Sequence, residues 1–124
     1  MPPKKILVVD DEPEVRMLME HFLTSKGFEV RIAENGRKGL AVLETFTPDL
    51  VLLDMHMPEL DGTGTLHELT RRWPSLPVIM VTVNEDVETT SKLLQLGAAD
   101  YVPKPFDLDY LEQAISIQLS AARG

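Results

Sequence analysis

The sequence predicts an α/β fold built on a doubly wound, five-stranded parallel sheet. Three observations carry that expectation: short apolar runs alternate with stretches of helical period, the first (after Lys5), third and fourth runs are apolar throughout, and polar residues gather just after the runs. A strand covered by helices on both faces has no reason to alternate, so continuous apolarity marks a parallel strand inside the sheet.

The runs are Lys5-Ile6-Leu7-Val8-Val9, Glu29-Val30-Arg31-Ile32-Ala33, Leu50-Val51-Leu52-Leu53, Val78-Ile79-Met80-Val81 and the brief Tyr101-Val102. Glu29 to Ala33 alternates, which suits an edge strand. The first helix carries the stripe Val15, Leu18, Met19 and Phe22, opens with Pro13 where a first turn tolerates proline, and ends at Gly27. Asn35 is expected to cap a second helix bearing Leu40 and Leu43. Leu66 and Leu69 mark a third, which Arg71-Arg72-Trp73 ends with favourable cations and an apolar lid. Val87, Leu93, Leu94 and Leu96 mark a fourth that closes at Gly97, and the fifth runs from about Leu108. Strand-then-helix repeats imply right-handed crossovers, with functional groups on loops after the strand carboxyl ends.

At 124 residues, 44% hydrophobic and 26% charged, the chain is read as one domain, 1–124, with a real core. Its formal net charge of -8 repels phosphate backbones, so direct nucleic-acid binding is not expected and basic partners fit better. The absence of cysteine excludes disulfides and thiolate chemistry, with a reducing cytoplasm as the default compartment. Ile6 to Val9 is too short for a signal segment or membrane span, and no repeat or low-complexity tract is present.

Asp10 and Asp11 end the first strand, Asp54 the third and Thr82 the fourth, and Lys104 follows the fifth. In a parallel sheet these ends lie side by side, so the residues converge on one pocket. Clustered carboxylates repel unless a hard cation shares their oxygens, and three of them with a lysine suit Mg²⁺. Such a site would neutralise an incoming phosphoryl group for attack by a carboxylate, leaving phosphoryl oxygens for the Thr82 hydroxyl and the Lys104 ammonium. Each residue taken alone has a structural role available: an Asp cap, a turn Asp, a β-forming Thr, a solvated Lys. Their joint arrival on one edge favours function.

The segments Val8-Val9-Asp10-Asp11-Glu12, Leu53-Asp54-Met55-His56-Met57-Pro58 with Asp61-Gly62, Val81-Thr82, and Asp100-Tyr101-Val102-Pro103-Lys104-Pro105-Phe106 together resemble the receiver domain of bacterial response regulators in two-component signalling. The resemblance covers nearly the whole chain. It implies a flavodoxin-like sheet of order 2-1-3-4-5 and Asp54 as phosphoacceptor for a sensor histidine kinase or histidine phosphotransfer protein. It further implies Mg²⁺, with Mn²⁺ as a substitute, held by Asp11, Asp54 and the His56 carbonyl directly and by Asp10 through water. Thr82 and Lys104 would hold the acyl phosphate, Tyr101 would be the aromatic switch, and Lys104-Pro105 matches a bond often cis in the family. The chain is then a switch with self-phosphorylation and slow autodephosphorylation and not a conventional enzyme. It stands alone or is cut from a longer regulator with a DNA-binding or enzymatic output, and its natural-looking Met1 start favours an N-terminal receiver.

Val83 is bulkier than the Ala or Gly common after the threonine, which predicts slow dephosphorylation; His56 and Asn84 flank the same pocket. Thr63-Gly64-Thr65 is a weak start for the third helix. Pro103 adds a second fixed φ to the loop before Lys104. His21, His56 and His67 lack metal-cluster spacing, and Met17, Met19, Met55, Met57 and Met80 are read as packing residues. On the last helix, Leu108, Leu111, Ile115 and Leu119 form a stripe for the sheet, while Tyr110, Ala114, Ile117 and Ala121 form another on roughly the opposite side. The second is expected to be an exposed partner face, serving a homodimer or docking on the surface of the fourth helix, fifth strand and fifth helix. Two competitors rank below this. A small aspartate-nucleophile phosphatase lacks a second Asp at position 56, and a flavodoxin-like cofactor binder would set its anion against Asp10-Asp11-Glu12.

Overall fold

The computed structural model describes residues 2–55, 62–83 and 86–121. Strands and helices alternate: β1 (Lys5–Val9), α1 (Pro13–Ser25), β2 (Glu29–Ala33), α2 (Gly36–Val42), β3 (Leu50–Asp54), α3 (Gly62–Arg72), β4 (Val78–Thr82), α4 (Val87–Gln95), β5 (Asp100–Pro103) and α5 (Leu108–Ala121). Every pairing is parallel and the sheet order is β2-β1-β3-β4-β5. This is the order the resemblance implied, with the alternating strand β2 at an edge.

Strand parity divides the core. Successive strand side chains point to opposite faces. Leu7, Val9, Val51, Leu53, Val78 and Met80 therefore pack with Leu43, Leu66, Leu69 and Leu93 of the α2–α4 side, and Ile6, Val8, Leu50, Leu52, Ile79 and Val81 with Met19, Leu23, Leu111 and Ile115 of α1 and α5. Continuous apolarity in β1, β3 and β4 thus serves two separate cores.

Local signals place the helix ends. Asn35 caps α2, its side-chain oxygen accepting from the Lys38 amide at 2.9 Å. Gly27 and Gly97 follow α1 and α4 with φ of 92° and 110°, where a side chain would be strained. At the end of α3 the Arg72 guanidinium lies 4.5 Å from the centre of the Trp73 ring, which packs against the α2–α4 core. The weak Thr63-Gly64-Thr65 start is helical, with Thr65 buried.

Three packing expectations need correction. Leu18 is 46% exposed and Leu23 takes its place, because at about 100° per residue Leu18 falls to one side of the Val15, Met19 and Phe22 direction and Leu23 to the other, where the sheet lies. Met17 is 68% exposed and fills no gap, whereas Met19 and Met80 are buried and Met55 packs against the α2–α4 core; Met57 lies outside the described residues. Ala114 is buried in the α1–α5 core, since it sits on the Leu111 flank of the helix and a methyl group fits there.

Candidate functional site

The carboxyl edge of the sheet gathers the acidic residues. β1 ends at Val9, and Asp10 follows with its amide donating to the Ala33 carbonyl at 3.1 Å, so the next strand over fixes where its side chain begins. One Asp10 carboxylate oxygen accepts from the Glu12 amide at 2.9 Å and the other from Lys104 Nζ at 3.0 Å. Asp54 ends β3 beside Val81 of β4, and its Oδ1 lies 3.4 Å from Lys104 Nζ. Thr82 ends β4, fully buried, and its hydroxyl donates to Met55 Sδ at 3.4 Å. The Lys104 amide donates to the Thr82 carbonyl at 2.8 Å, and the Lys104–Pro105 peptide is cis.

Lys104 Nζ therefore meets three carboxylates, the third being Glu12 at 2.9 Å. Asp10 and Asp54 are buried, and Glu12 is about half exposed. Burial would lower the Lys104 pKa, but hydrogen bonds to Glu12 and Asp10 and the charges of Asp10 and Asp54 outweigh it and hold the ammonium well above lysine's usual range. The Asp10 pKa is also raised, but for Asp10 burial is the cause and not the opposing effect. Burial pushes its carboxyl above the usual carboxylate range, although the Glu12 amide and Lys104 pull it down.

Asp11, Glu12, Asp54, Val83 and Lys104 line an open pocket of about 240 Å³. The carboxylates of Asp10, Asp11 and Glu12 offer oxygens within 4.8 Å of one another. Hard oxygen donors in excess of the one lysine fit a small divalent cation such as Mg²⁺. The structure thus brings together Asp10, Asp11, Asp54, Thr82 and Lys104, while His56 lies outside the described residues. Sequence reading missed Glu12 as a Lys104 partner, although the Asp-Asp-Glu run was its signal. It also missed Gly62, whose missing side chain lets α3 start against the Asp54 carbonyl.

The expected partner strip loses Ala114 to the core. Tyr110, Ile117 and Ala121 remain exposed on α5, with Val87 and Leu94 exposed on α4. Tyr101 is partly buried against the α2–α4 core. No helix of the described residues is long and apolar enough to cross a membrane.

Known proteins match this arrangement. The family model "Response regulator receiver domain" matches residues 6–116. The regulatory protein AtoC of Escherichia coli is 42% identical over 118 residues, covering 92% of this chain and 26% of AtoC. The DNA-binding transcriptional regulator NtrC of Salmonella typhimurium is 41% identical over 115 residues, covering 90% of this chain and 24% of NtrC. The chain thus spans about a quarter of the length of these two relatives. Among solved structures, NtrX from Brucella abortus superposes with a TM-score of 0.92 at 34% identity, covering 98% of this chain and 28% of NtrX. A CheY-like receiver domain protein from Methanospirillum hungatei gives a TM-score of 0.92 at 31% identity, covering 98% of this chain and 97% of that one. With the family model spanning most of the chain, the chain belongs to the response regulator receiver domain family, the signalling switches of two-component systems.

Proposed function

We propose that Asp54 accepts a phosphoryl group from a phosphohistidine on a sensor histidine kinase or histidine phosphotransfer protein. The observation that carries this is a buried carboxylate at the end of a central strand, opening on a pocket that also holds Lys104 and the acidic run 10–12. An Asp54 carboxylate oxygen forms the new O–P bond, the N–P bond breaks, and the imidazole nitrogen keeps the electron pair. Lys104 sits close enough to shift from Asp54 to an oxygen of the acyl phosphate, and Thr82 offers its hydroxyl to another. Asp11 and Asp54, with Asp10 through water and the His56 carbonyl, would hold Mg²⁺ or Mn²⁺, which when bound offsets the negative charge of the transferring group.

Recruitment of Thr82 by the phosphoryl group is the event that Tyr101 reads in this proposal, and the exposed strip of α4 and α5 is where a partner or second copy responds. The chain modifies itself and hydrolyses the acyl phosphate slowly, without turning over an external substrate as an enzyme. It works in the cytoplasm, as the receiver portion of a larger regulator whose output is carried by other residues; the similar DNA-binding transcriptional regulator NtrC is about four times as long as the matched stretch. The net charge of -8 keeps this portion off nucleic acid.

Intact mass after incubation with acetyl phosphate and Mg²⁺ tests the assignment. One phosphoryl adduct is expected on the wild type and none on Asp54→Asn. No adduct from that donor or from a range of phosphohistidine donors would sink it.

A further inference from the structure

Arg16 closes the first turn of α1, outside the phosphoryl pocket, yet its guanidinium reaches back to the acidic loop. Its Nη1 donates to the Asp10 carbonyl at 2.7 Å, while its own amide donates to the Glu12 carbonyl at 3.0 Å. The segment from Asp10 to Arg16 is therefore closed twice, once by side chain and once by backbone. The Asp10 carbonyl lies just past the end of β1, and Arg16 supplies it a charged partner. On its other side Arg16 faces a depression that also contains Ile32, Glu34 and Lys38, and there the Lys38 ammonium holds Glu34. The Lys38 ammonium and, more weakly, the Arg16 charge hold the Glu34 carboxyl below its usual range, while the hydrogen bond of the guanidinium goes to the backbone of the acidic loop.

We infer that Arg16 is a positioning residue for the divalent-cation site: by clamping the Asp10 carbonyl it holds the Asp10 and Asp11 carboxylates in the arrangement that binds the metal. The inference rests on the proposed metal role of those carboxylates. A partner that orients a ligand-bearing group without touching the metal typically contributes ten- to a hundredfold in affinity, roughly. Simple electrostatics predicts the reverse sign. A cation beside an acidic cluster weakens the binding of a second cation, so deleting it should tighten Mg²⁺.

The test is calorimetric titration of this chain with Mg²⁺ alone, using wild type, Arg16→Met, Arg16→Lys and Asp11→Asn, with unfolding midpoints taken in chelator. Arg16→Met, which keeps the stem and loses the donors, is expected to raise the Mg²⁺ Kd about tenfold. The Mg²⁺ concentration giving half-maximal phosphorylation should rise by the same factor, with the rate at saturating Mg²⁺ unchanged. A Kd that is unchanged or tighter overturns the inference. Should Arg16→Met not fold, Arg16→Lys decides, because it keeps the charge and loses the planar fork: a weaker Kd supports positioning and an unchanged one overturns it. Wild type that binds no Mg²⁺ ends both the metal assignment and this inference. Binding lost in Asp11→Asn but intact in Arg16→Met ends the inference alone.

Discussion

Gly62 is where the architecture of the site is least tolerant. A Cβ built there would stand 2.5 Å from Met55 Cα, 2.6 Å from the Asp54 carbonyl oxygen and 2.7 Å from the Met55 carbonyl oxygen. All three are backbone atoms of β3 and the residue after it, so no side chain can swing aside. Ordinary contact begins near 3.4 Å, so in Gly62→Ala the start of α3 must retreat by about 1 Å. That retreat breaks the hydrogen bond from the Gly62 amide to the Met55 carbonyl, now 3.0 Å. Overpacking of this kind costs about 1–3 kcal/mol and the bond about 1 kcal/mol more, so a loss of about 3 kcal/mol is expected. For a domain of this size that lowers the thermal midpoint by roughly 10 °C. The strain also falls on the carbonyl of the proposed phosphoacceptor, and a displacement near 1 Å at a reacting group can slow transfer about a hundredfold. Circular dichroism melting and phosphorylation by acetyl phosphate, measured below the melting range, read the two effects. Gly97→Ala is the control, since its φ of 110° and a contact of 2.6 Å with the Thr70 methyl strain the fold away from the site. It should lose stability and keep its phosphorylation rate. A Gly62→Ala variant that melts and reacts like wild type would refute the reasoning.

Further outcomes follow from the charges and exposures. Lys104→Met leaves Asp10 and Asp54 buried without their cation and should cost about 3 kcal/mol in urea unfolding at neutral pH. Because the folded pKa of Lys104 is raised, its stabilisation is complete below lysine's ordinary value and is lost as pH rises through the folded value; an alkaline fall in the urea midpoint that persists undiminished in Lys104→Met would contradict this. Asp10 has the same pH sense in a lower window: its raised folded pKa means stability falls as pH climbs from the unfolded to the folded value, so at neutral pH its charge is a net cost. Asp10→Asn keeps an acceptor for the Glu12 amide and should raise the metal-free melting point at neutral pH while weakening Mg²⁺ binding, and a lower melting point would contradict it. Val83, 62% exposed at the pocket mouth, should slow water attack, so Val83→Ala is expected to shorten the half-life of phosphorylated Asp54 several-fold by mass-spectrometric time course, and an unchanged half-life removes that role. Ile117→Asp should lower self-association or partner affinity of the phosphorylated chain in sedimentation or titration, and no change would count against the α4 and α5 strip as a docking face.

The sheet was legible because hydrophobicity is written residue by residue: each of the five runs became a strand, with ends differing by a residue or so. The convergence of Asp10, Asp54, Thr82 and Lys104 was legible because parallel topology carries distant positions to one edge. Side-chain direction was less so. Leu18 and Ala114 sit at the margins of their helical stripes, where a turn of some tens of degrees decides burial and the sequence does not set that turn. Glu12 and Arg16 look like ordinary residues of a helix start; their contacts with Lys104 and the Asp10 carbonyl depend on loop geometry. Gly62 was named only as part of a motif, since a close backbone approach leaves no trace in polarity.

Strand parity has a consequence for how the chain finds its own alignment. In a half-buried strand, a slip by one residue sets polar side chains against apolar ones and is penalised at once. β1, β3 and β4 are apolar on both faces, so sliding one past its neighbour exchanges one apolar set for another with little loss inside the sheet. The penalty falls at the ends, where a slipped β1 would draw Asp10 into the ladder and a slipped β1 or β3 would carry Asp10 or Asp54 out of reach of Lys104. The acidic edge therefore also acts as the index mark of the fold, and the residues placed there for chemistry tell the strands where to stop.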